Sequence, residues 1–216
     1  MTTLSIRLTQ FRIPTASTLI RSIASSVVAL FASAAFAQAA GEAPDELIKR
    51  ISTDVLTTIQ SDAAIKGGDP ARVQALVDQK VLPYVDFERM TASAVGRSWR
   101  QATPEQKTAL SSGFKNLLIK TYSGAMSSAG DVKLQFKPLK LAADDTETIV
   151  RSQVVQPRGG DPIQLDYRMA KEAAGWKIYD VNVLGVWLVE NYRTQFQQEI
   201  GRNGIDGLIS SLNAKK

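Results

Sequence analysis

Carboxylates are the residues of this chain best suited to chemistry. Asp166, Asp180 and Glu190 fall on the last two predicted strands and the helix that follows them. The chain contains no histidine and no cysteine, so Ser–His and Cys–His nucleophilic sites are excluded, as are histidine- or thiolate-ligated metal sites. A carboxylate in a pocket could still abstract a proton. An isomerase-like pocket enzyme is therefore one hypothesis.

The same carboxylates also have an ordinary structural interpretation. Asp166 is predicted on the polar side of a strand, and Asp180 is placed to pair with a neighbouring base or to cap a turn. Structural ion pairs outnumber catalytic acids when no second catalytic group is visible. No glycine-rich phosphate loop follows a strand. Five arginines could bind an anionic group, although strand and loop arginines are more often solvated; they are Arg97, Arg100, Arg151, Arg158 and Arg168.

These residues are positioned by the stretch from Trp176 to Phe196. Its first half is rich in β-branched and aromatic residues and predicts a strand up to Val183. Gly185 interrupts the pattern, and helical spacing follows, which predicts a last strand turning directly into a helix, with Val186 already on a helical row. Both sides of the strand are partly apolar, so the sequence assigns neither of them to the interior.

The first half of the mature chain contains several helix-start signals. Pro44 opens a helix that extends to about residue 62, and Asp69 and Asp86 are predicted N-caps of two further helices. The quartet Thr103-Pro-Glu-Gln106 is a capping box, which predicts a long helix to about residue 126. At the other end of the chain, Asn203 is the predicted N-cap of a short terminal helix.

Between residues 131 and 183 the apolar period changes from that of a helix to two. Four strands are predicted, joined by short turns, and this indicates an antiparallel meander with one apolar face and one face toward water. Helices precede and follow the sheet, an order typical of the α+β class. The predicted fold is a four-stranded antiparallel meander curved over the long helix, with N-terminal and C-terminal helices completing the enclosure.

The N-terminal segment has the three parts of an export signal. Arg7, Arg12 and Arg21 precede an apolar run over residues 23–36, and Ala35-Phe36-Ala37 is a small-x-small cleavage site. The run is shorter than the about 20 residues of a bilayer-spanning helix. Residues 1–37 are therefore predicted to be a signal peptide rather than a disordered tail or a membrane anchor, with cleavage near Ala37. Residues 38–216 are predicted to form a single domain.

The charge balance argues against nucleic acid as a partner. The whole chain has 26 basic and 21 acidic side chains, but removal of the three signal arginines leaves 23 basic and 21 acidic ones, a net charge of +2. No cluster of lysines and arginines is interleaved with aromatic residues. An exported chain without cysteines must be held together by its core alone, and the bacterial periplasm is the expected compartment.

Fourteen apolar and aromatic residues face the predicted sheet–helix interior by their periodicity. An ordinary filled core and a binding cavity both fit this pattern, and periodicity does not separate them. The fourteen are Phe87, Met90, Phe114, Leu117, Leu118, Tyr122, Met126, Leu134, Phe136, Leu165, Tyr167, Met169, Trp176 and Leu188.

Several separated segments resemble, in the right order, the MlaC family, also called the toluene-tolerance or ABC-transporter auxiliary-component family. The resemblance covers about Ala43 to Leu212. It is most specific over residues 81–90, over Gly96–Arg100 with the capping box, over the helix around residues 114–122, and from Tyr179 to Phe196. Trp187 departs from the pattern, because the family commonly has a small polar residue after Gly-Val, and the local pocket shape that the resemblance implies does not carry over at this position.

The resemblance implies a periplasmic phospholipid carrier with an apolar cavity between sheet and helices. The acyl chains would lie in that cavity, lined by the fourteen residues, with the head group outward. The family passes lipid between an outer-membrane lipoprotein–porin complex and an inner-membrane ABC transporter with an MCE-domain subunit, and so maintains outer-membrane lipid asymmetry.

The resemblance also implies that the chain needs neither catalysis nor a cofactor, since energy comes from the transporter, and we expect a monomer. A pocket enzyme and a ligand-free periplasmic scaffold remain as alternative hypotheses.

Overall fold

The computed structural model describes residues 41–127, 129, 131–157 and 159–214. The predicted signal peptide, residues 1–37, and the predicted turn residue Arg158 lie outside this part of the chain. Within it, helices are followed by an antiparallel sheet and then by a long helix, which confirms the α+β class. No helix in the described ranges combines the length and the apolar character needed to cross a membrane.

The first half of the described chain is helical. Its helices are α1 (Pro44–Ser61), α2 (Ala63–Lys66), α3 (Pro70–Lys80), α4 (Phe87–Val95) and α5 (Pro104–Ser127), with 3₁₀ turns at Leu82–Tyr84 and Gly96–Arg100. The predicted start signals act locally as expected. The Asp69 carboxylate accepts hydrogen bonds from two backbone N–H groups at the start of α3, and Asp86 accepts one at the start of α4.

The capping box at the start of α5 is formed reciprocally. The Thr103 N–H donates to Gln106 Oε1 at 3.0 Å, and the Gln106 N–H donates to Thr103 Oγ1 at 3.2 Å. Two of the N–H groups that a helix start leaves without a partner are thereby satisfied. This local chemistry explains why the start of the long helix could be placed from sequence.

The sheet has five antiparallel strands in chain order, one more than predicted. They are β1 (Lys133–Phe136), β2 (Glu147–Val155), β3 (Ile163–Glu172), β4 (Gly175–Val183) and β5 (Val186–Trp187). The extra strand corrects the prediction that the chain enters a helix directly at Gly185. Leu184 and Gly185, with φ of 54° and 87°, form a two-residue turn, and Val186 pairs with Val183.

A β-bulge in β4 resolves the ambiguity about its faces. Arg168 pairs with Asp180, but Met169 pairs with Ile178, so Tyr179 is an extra residue on β4. The bulge places Ile178 on the same face of the sheet as Val181, although their spacing is odd. We call this the inner face.

The outer face is not simply exposed to water, as a half-solvated sheet would be. Asp166, Asp180 and Asn182 are only 5%, 1% and 4% exposed. Residues of β5 and the start of α6 contact this region, because the Trp187 ring packs on Arg168 and the Val189 N–H donates to Asp180. The expectation of a solvated polar face therefore fails at this end of β3 and β4.

The last helix, α6 (Leu188–Ala214), is broken at Gly204, which has φ of 71° and ψ of −175°. The break was predicted one residue earlier, with Asn203 as N-cap. The Asn203 side chain instead donates to Glu199 Oε1 at 2.8 Å. Glycine tolerates the positive φ at this position, which explains the one-residue difference.

The helices that lie closest to the sheet are α1, α4 and α6, whereas α5 packs mainly on α3, α4 and α6. The edge of β4 is covered by β5 at one end and by the segment before α4 near Ile178. Val85 forms a parallel bridge with Ile178, and the Asp86 N–H donates to the Ile178 carbonyl at 2.9 Å. Covering an edge strand in this way blocks pairing with other chains.

The close approach of α5 and α6 depends on Gly113. A Cβ atom at this position would lie 2.8 Å from the Leu212 Cβ, which belongs to the packed interior. We expect Gly113→Ala to lower the free energy of unfolding by about 1–3 kcal/mol through overpacking. Urea unfolding followed by circular dichroism measures this change.

Gly201→Ala, in α6, is the matched control, because nothing lies within 4 Å of the position that its new methyl group would occupy. Removing a helical glycine there should raise stability by about 0.5–1 kcal/mol. Equal effects at the two glycines would contradict the close-contact explanation.

Candidate functional site

Burial along the inner face of the sheet is graded from one end to the other. At the end near the β3–β4 turn, Met169, Trp176 and Ile178 are buried, and α1 packs against them. Toward the opposite end, the inward apolar side chains are only half-buried, although Ser152 beside Leu165 is buried. The half-buried side chains are Leu134, Val154, Ile163, Leu165 and Val183. The inner face is therefore sealed at one end and incompletely covered at the other.

The helical side facing the sheet is anchored by Phe114 of α5. Its ring contacts Tyr192 and Phe196 edge-on, with centroid distances of 5.1 Å in both pairs, and Phe87 at 5.8 Å. Such aromatic contacts add to the stabilisation from area burial. One to two turns further along α5, Leu117, Leu118 and Tyr122 are only half-buried. The helix is thus tightly packed at its N-terminal half and looser beyond it.

The apolar interior of the described chain divides into three clusters rather than one. Cluster 1 joins α4, α5 and α6, cluster 2 joins α1 to the inner face of the sheet, and cluster 3 joins α1, α2 and α3. A domain of this size usually has one contiguous core with smaller satellite clusters beside it. Half-buried side chains link the clusters: Val85 and Val181 join clusters 1 and 2, and Val55 joins clusters 2 and 3.

Half-buried apolar side chains of the inner face of the sheet and of α5, together with Val55 of α1 and Val85 just before α4, mark the candidate site. Their surfaces are apolar and incompletely covered by the protein itself. Such a surface can bury an apolar ligand at little cost, because few polar groups must be desolvated.

The structure places the fourteen residues singled out by periodicity in two groups. Five are fully buried within clusters: Met90, Phe114, Met169, Trp176 and Leu188. The other nine are half-buried: Phe87, Leu117, Leu118, Tyr122, Met126, Leu134, Phe136, Leu165 and Tyr167. Leu134 and Leu165 are in none of the three clusters.

Four residues that the sequence did not assign also face this site. Val181 and Val183 were missed because the bulge at Tyr179 reverses the alternation of side chains along β4, and the sequence pattern does not show this reversal. Val85 was missed because it lies in the short segment between a 3₁₀ turn and α4, where the apolar residues follow neither helical nor strand spacing. Val55 belongs to the apolar stripe predicted for α1. Extending the predicted site to that stripe would have identified Val55.

A small group of hydroxyls lies within the apolar interior. The Tyr167 hydroxyl hydrogen-bonds with Ser52 of α1 and Ser152 of β2, and desolvation raises the pKa of Tyr167 above its ordinary value. Tyr167 therefore remains a neutral donor and acceptor at physiological pH. Ser152 also donates to the Leu165 carbonyl at 2.8 Å. The hydroxyls are satisfied within the protein and place no charge on the inner face.

The candidate carboxylates lie away from this apolar surface. Asp166 and Arg168 alternate with the inward residues Leu165 and Tyr167, so both occupy the outer face. Asp166 Oδ2 accepts a hydrogen bond from Gln164 Nε2 at 2.5 Å, and its Oδ1 has no partner within the described residues. A carboxylate on the outer face cannot act on a ligand held against the inner one.

Asp180 has the structural role that its ordinary interpretation predicted. Its Oδ1 accepts hydrogen bonds from the N–H groups of Val181 at 2.9 Å and Val189 at 3.0 Å. Its Oδ2 accepts one from Arg168 at 2.9 Å. Burial raises the pKa of Asp180, although the two N–H groups and the guanidinium act in the opposite direction.

Arg168 completes this network. It also donates to Glu190 at 3.0 Å, and its guanidinium lies 3.9 Å from the centroid of the Trp187 ring. Trp187 therefore packs on an outer-face arginine by a cation–π contact. Asp180, Arg168 and Glu190 together join β3, β4 and the first turn of α6.

The match to known proteins agrees with this architecture. Residues 49–214 match the family described as MlaC protein, and the chain belongs to that family.

Two relatives and one solved structure are similar to the chain over most of its length. The intermembrane phospholipid transport system binding protein MlaC of Haemophilus influenzae is 25% identical over 171 residues, which cover 78% of this chain and 80% of that protein. The toluene tolerance protein ttg2D of Pseudomonas putida is 24% identical over 168 residues, 77% of each chain. A phospholipid-binding protein from Ralstonia solanacearum, solved in complex with a phospholipid, is 44% identical with a TM-score of 0.77; the match covers 81% of this chain and 97% of that one.

The Asp180 network can be tested by two substitutions. Asp180→Ala removes every acceptor and leaves Arg168 and the Val189 N–H without this partner, so we expect a loss of about 2–3 kcal/mol in the free energy of unfolding. Asp180→Asn keeps one acceptor oxygen for the N–H groups but not the charge, and should lose about half as much. Denaturant unfolding gives both values. An Asn variant as unstable as the Ala variant would show that the helix cap contributes nothing.

Proposed function

We propose that this protein is a periplasmic phospholipid carrier that holds the acyl chains of its ligand between the inner face of the sheet and α5. The observation that carries the proposal is the division of the apolar interior into three clusters, linked by half-buried side chains. The phospholipid-bound structure from Ralstonia solanacearum, 44% identical to this chain, supports it. The name of the Haemophilus influenzae relative supports a role in phospholipid transport.

The physics of lipid transfer explains why such a site needs few polar groups. Two tails of about sixteen carbons hide about thirty methylenes, worth about 25 kcal/mol against water at ~0.8 kcal/mol each. A free phospholipid therefore cannot cross an aqueous compartment at a useful rate. A carrier needs only to match the bilayer, so the free energy of exchange can be near zero. An apolar, non-specific wall meets this requirement.

The wall of the proposed cavity is formed by the fourteen residues predicted from sequence together with Val55, Val85, Val181 and Val183. The nine half-buried members of the fourteen are proposed to contact the acyl chains, and the five buried members to support them from behind. The less covered end, near Leu165 and Val183, is the proposed mouth, and the head group is placed outward there.

In this proposal residues 1–37 direct export and are removed near Ala37, and residues 38–216 act as one monomeric domain in the periplasm. The proposed partners are an outer-membrane lipoprotein–porin complex and an inner-membrane ABC transporter with an MCE-domain subunit. Movement of lipid between them would maintain outer-membrane asymmetry. The transporter would supply the energy, so the carrier itself needs no catalytic group or cofactor.

The two alternative hypotheses have less support. An isomerase-like enzyme needs Asp166 or Asp180 in the pocket, but both lie on the outer face, and Asp180 is engaged by three donors. A ligand-free scaffold predicts a single filled core, whereas the described interior is divided.

Bound lipid is the direct test. Protein purified from the periplasm should show, by native mass spectrometry, a mass higher than that of the mature chain by one or more phospholipids, and its organic extract should contain them. A bare protein mass together with a lipid-free extract would contradict the carrier proposal.

A charge placed in the wall should abolish lipid binding. Leu165→Asp puts a carboxylate at the proposed mouth against the acyl chains, and an unpaired buried charge costs several kcal/mol. We expect lipid to be absent from the extract of this variant, with a smaller loss of thermal stability because Leu165 is only half-buried.

Thr194→Asp makes the same charge change at an exposed position of α6, and Lys133→Ala changes an exposed outer-face residue. Both should keep their lipid. Loss of lipid from all three variants would show that the inner face has been assigned wrongly.

A further inference from the structure

The two-residue turn between β4 and β5 has an unusual residue in it. Turns of this kind need positive φ at both central positions, and asparagine, aspartate and glycine are the favoured residues. Leu184 occupies the first position with φ of 54°, the one non-glycine residue with positive φ in the described chain. Leucine pays a steric cost in this conformation that asparagine or glycine would largely avoid.

The same turn exposes apolar side chains to solvent. Leu184 is 66% exposed and Val186 is 50% exposed, and these are the two most exposed large apolar side chains of the described residues. Their exposure gains no folding energy from the hydrophobic effect. We call Leu184, Gly185 and Val186 the hairpin tip.

Hydrogen bonds and one ring contact fix the backbone of the hairpin tip to the rest of the sheet. The Gly185 N–H donates to Asn182 Oδ1 at 2.8 Å, and the Leu184 N–H donates to the Gln164 carbonyl at 3.0 Å. Trp187, the next residue after the tip, packs on Arg168, which is fixed in turn by Asp180. Leu184 and Val186 therefore project from a braced turn and do not fold back onto the protein.

The location of the tip connects it with the less covered end of the inner face. Val183, the residue just before the tip, pairs with Leu165 across the sheet, and both are half-buried inward side chains. The opposite end of the inner face is sealed by α1. A ligand that enters between sheet and helices at the open end passes beside Leu184.

The size and chemistry of the tip fit a bilayer better than a protein partner. A specific protein interface buries about 1,200–2,000 Å² in total, far more than two side chains on a convex turn can supply. Partial insertion into a bilayer needs no matching surface. An indole ring next to apolar side chains is also typical of the boundary between lipid tails and head groups.

We propose that the hairpin tip inserts Leu184 and Val186 into the interfacial layer of a phospholipid bilayer, next to the cavity mouth, while a lipid enters or leaves. This inference rests on the proposed carrier function for its purpose, but the insertion can be measured without it. Leu184 keeps its unfavourable conformation because the exposed leucine contacts the bilayer and not the protein.

A single-site fluorescent label tests the insertion. The chain contains no cysteine, so Leu184→Cys can be labelled with the environment-sensitive dye NBD without other changes. Leu141→Cys is the matched control, because Leu141 is also an exposed leucine, at 38%, and lies in the β1–β2 connection at the opposite end of the sheet. Both labelled proteins are mixed with protein-free vesicles of equal parts phosphatidylglycerol and phosphatidylethanolamine.

We expect the NBD emission at position 184 to rise and shift to the blue on adding vesicles, with no change at position 141. No response at position 184 would overturn the proposal. It would favour insertion of the tip into a groove of a protein partner instead. An equal response at both positions would also overturn it, since it would reflect non-specific adsorption.

Leu184→Asn separates bilayer contact from folding. Asparagine accepts positive φ more readily than leucine, so the thermal midpoint should stay the same or rise. Loss of one leucine contact should slow the extraction of a fluorescent phospholipid from the vesicles about tenfold, since it corresponds to roughly the transfer free energy of one buried leucine. The lipid bound at equilibrium should not change. Extraction at the wild-type rate would overturn the proposal.

The two proposals fail in different ways. If the purified protein holds no lipid while the label at position 184 still responds to vesicles, the carrier function fails and the bilayer contact stands. If the protein holds lipid but neither the label nor Leu184→Asn shows an effect, the carrier function stands and the bilayer contact of the tip is refuted.

Discussion

The attachment of the last helix to the sheet depends on one carboxylate. Asp180 accepts hydrogen bonds from the N–H groups of Val181 and Val189 and from the Arg168 guanidinium. Through these bonds it fixes where α6 begins, how β5 folds back and which way Trp187 points. Because the carboxylate is 1% exposed, a missing partner would leave a buried charge uncompensated. A carboxylate that could have acted as a catalytic acid or base therefore holds the helix and the sheet together.

That support accompanies an interior whose buried apolar side chains form three clusters joined by half-buried ones. A protein normally gains stability by filling its core, but a carrier of the kind proposed must leave apolar surface for its ligand. The described chain concentrates its close packing in three places, with Phe114, Met169 and Val73 among the fully buried side chains, and leaves half-buried side chains between them. Aromatic contacts around Phe114 and the seal formed by α1 compensate in part for the surface left uncovered.

The sequence predicted what local chemistry decides and missed what tertiary pairing decides. Asp69, Asp86 and the capping box located helix starts, since their partners lie within three residues. The bulge at Tyr179 and strand β5 were missed, and the break at Gly204 was placed one residue early, because each depends on contacts or dihedral angles that no period records. Periodicity predicted fourteen apolar residues of the candidate site, but their division into packed and half-buried members depends on three-dimensional spacing.

The bulge at Tyr179 determines the polarity of the interior. If β4 continued in regular pairing through Tyr179, the alternation would turn Asp180 and Asn182 inward and Val181 and Val183 outward. The space between sheet and helices would then be lined by a carboxylate and an amide, and the helix cap would lose its acceptor. Absorbing one extra residue keeps the apolar wall and the polar brace on opposite sides of a single strand. In this strand, the position of one unpaired residue separates the surface that can hold an oil-like ligand from the surface that holds the fold together.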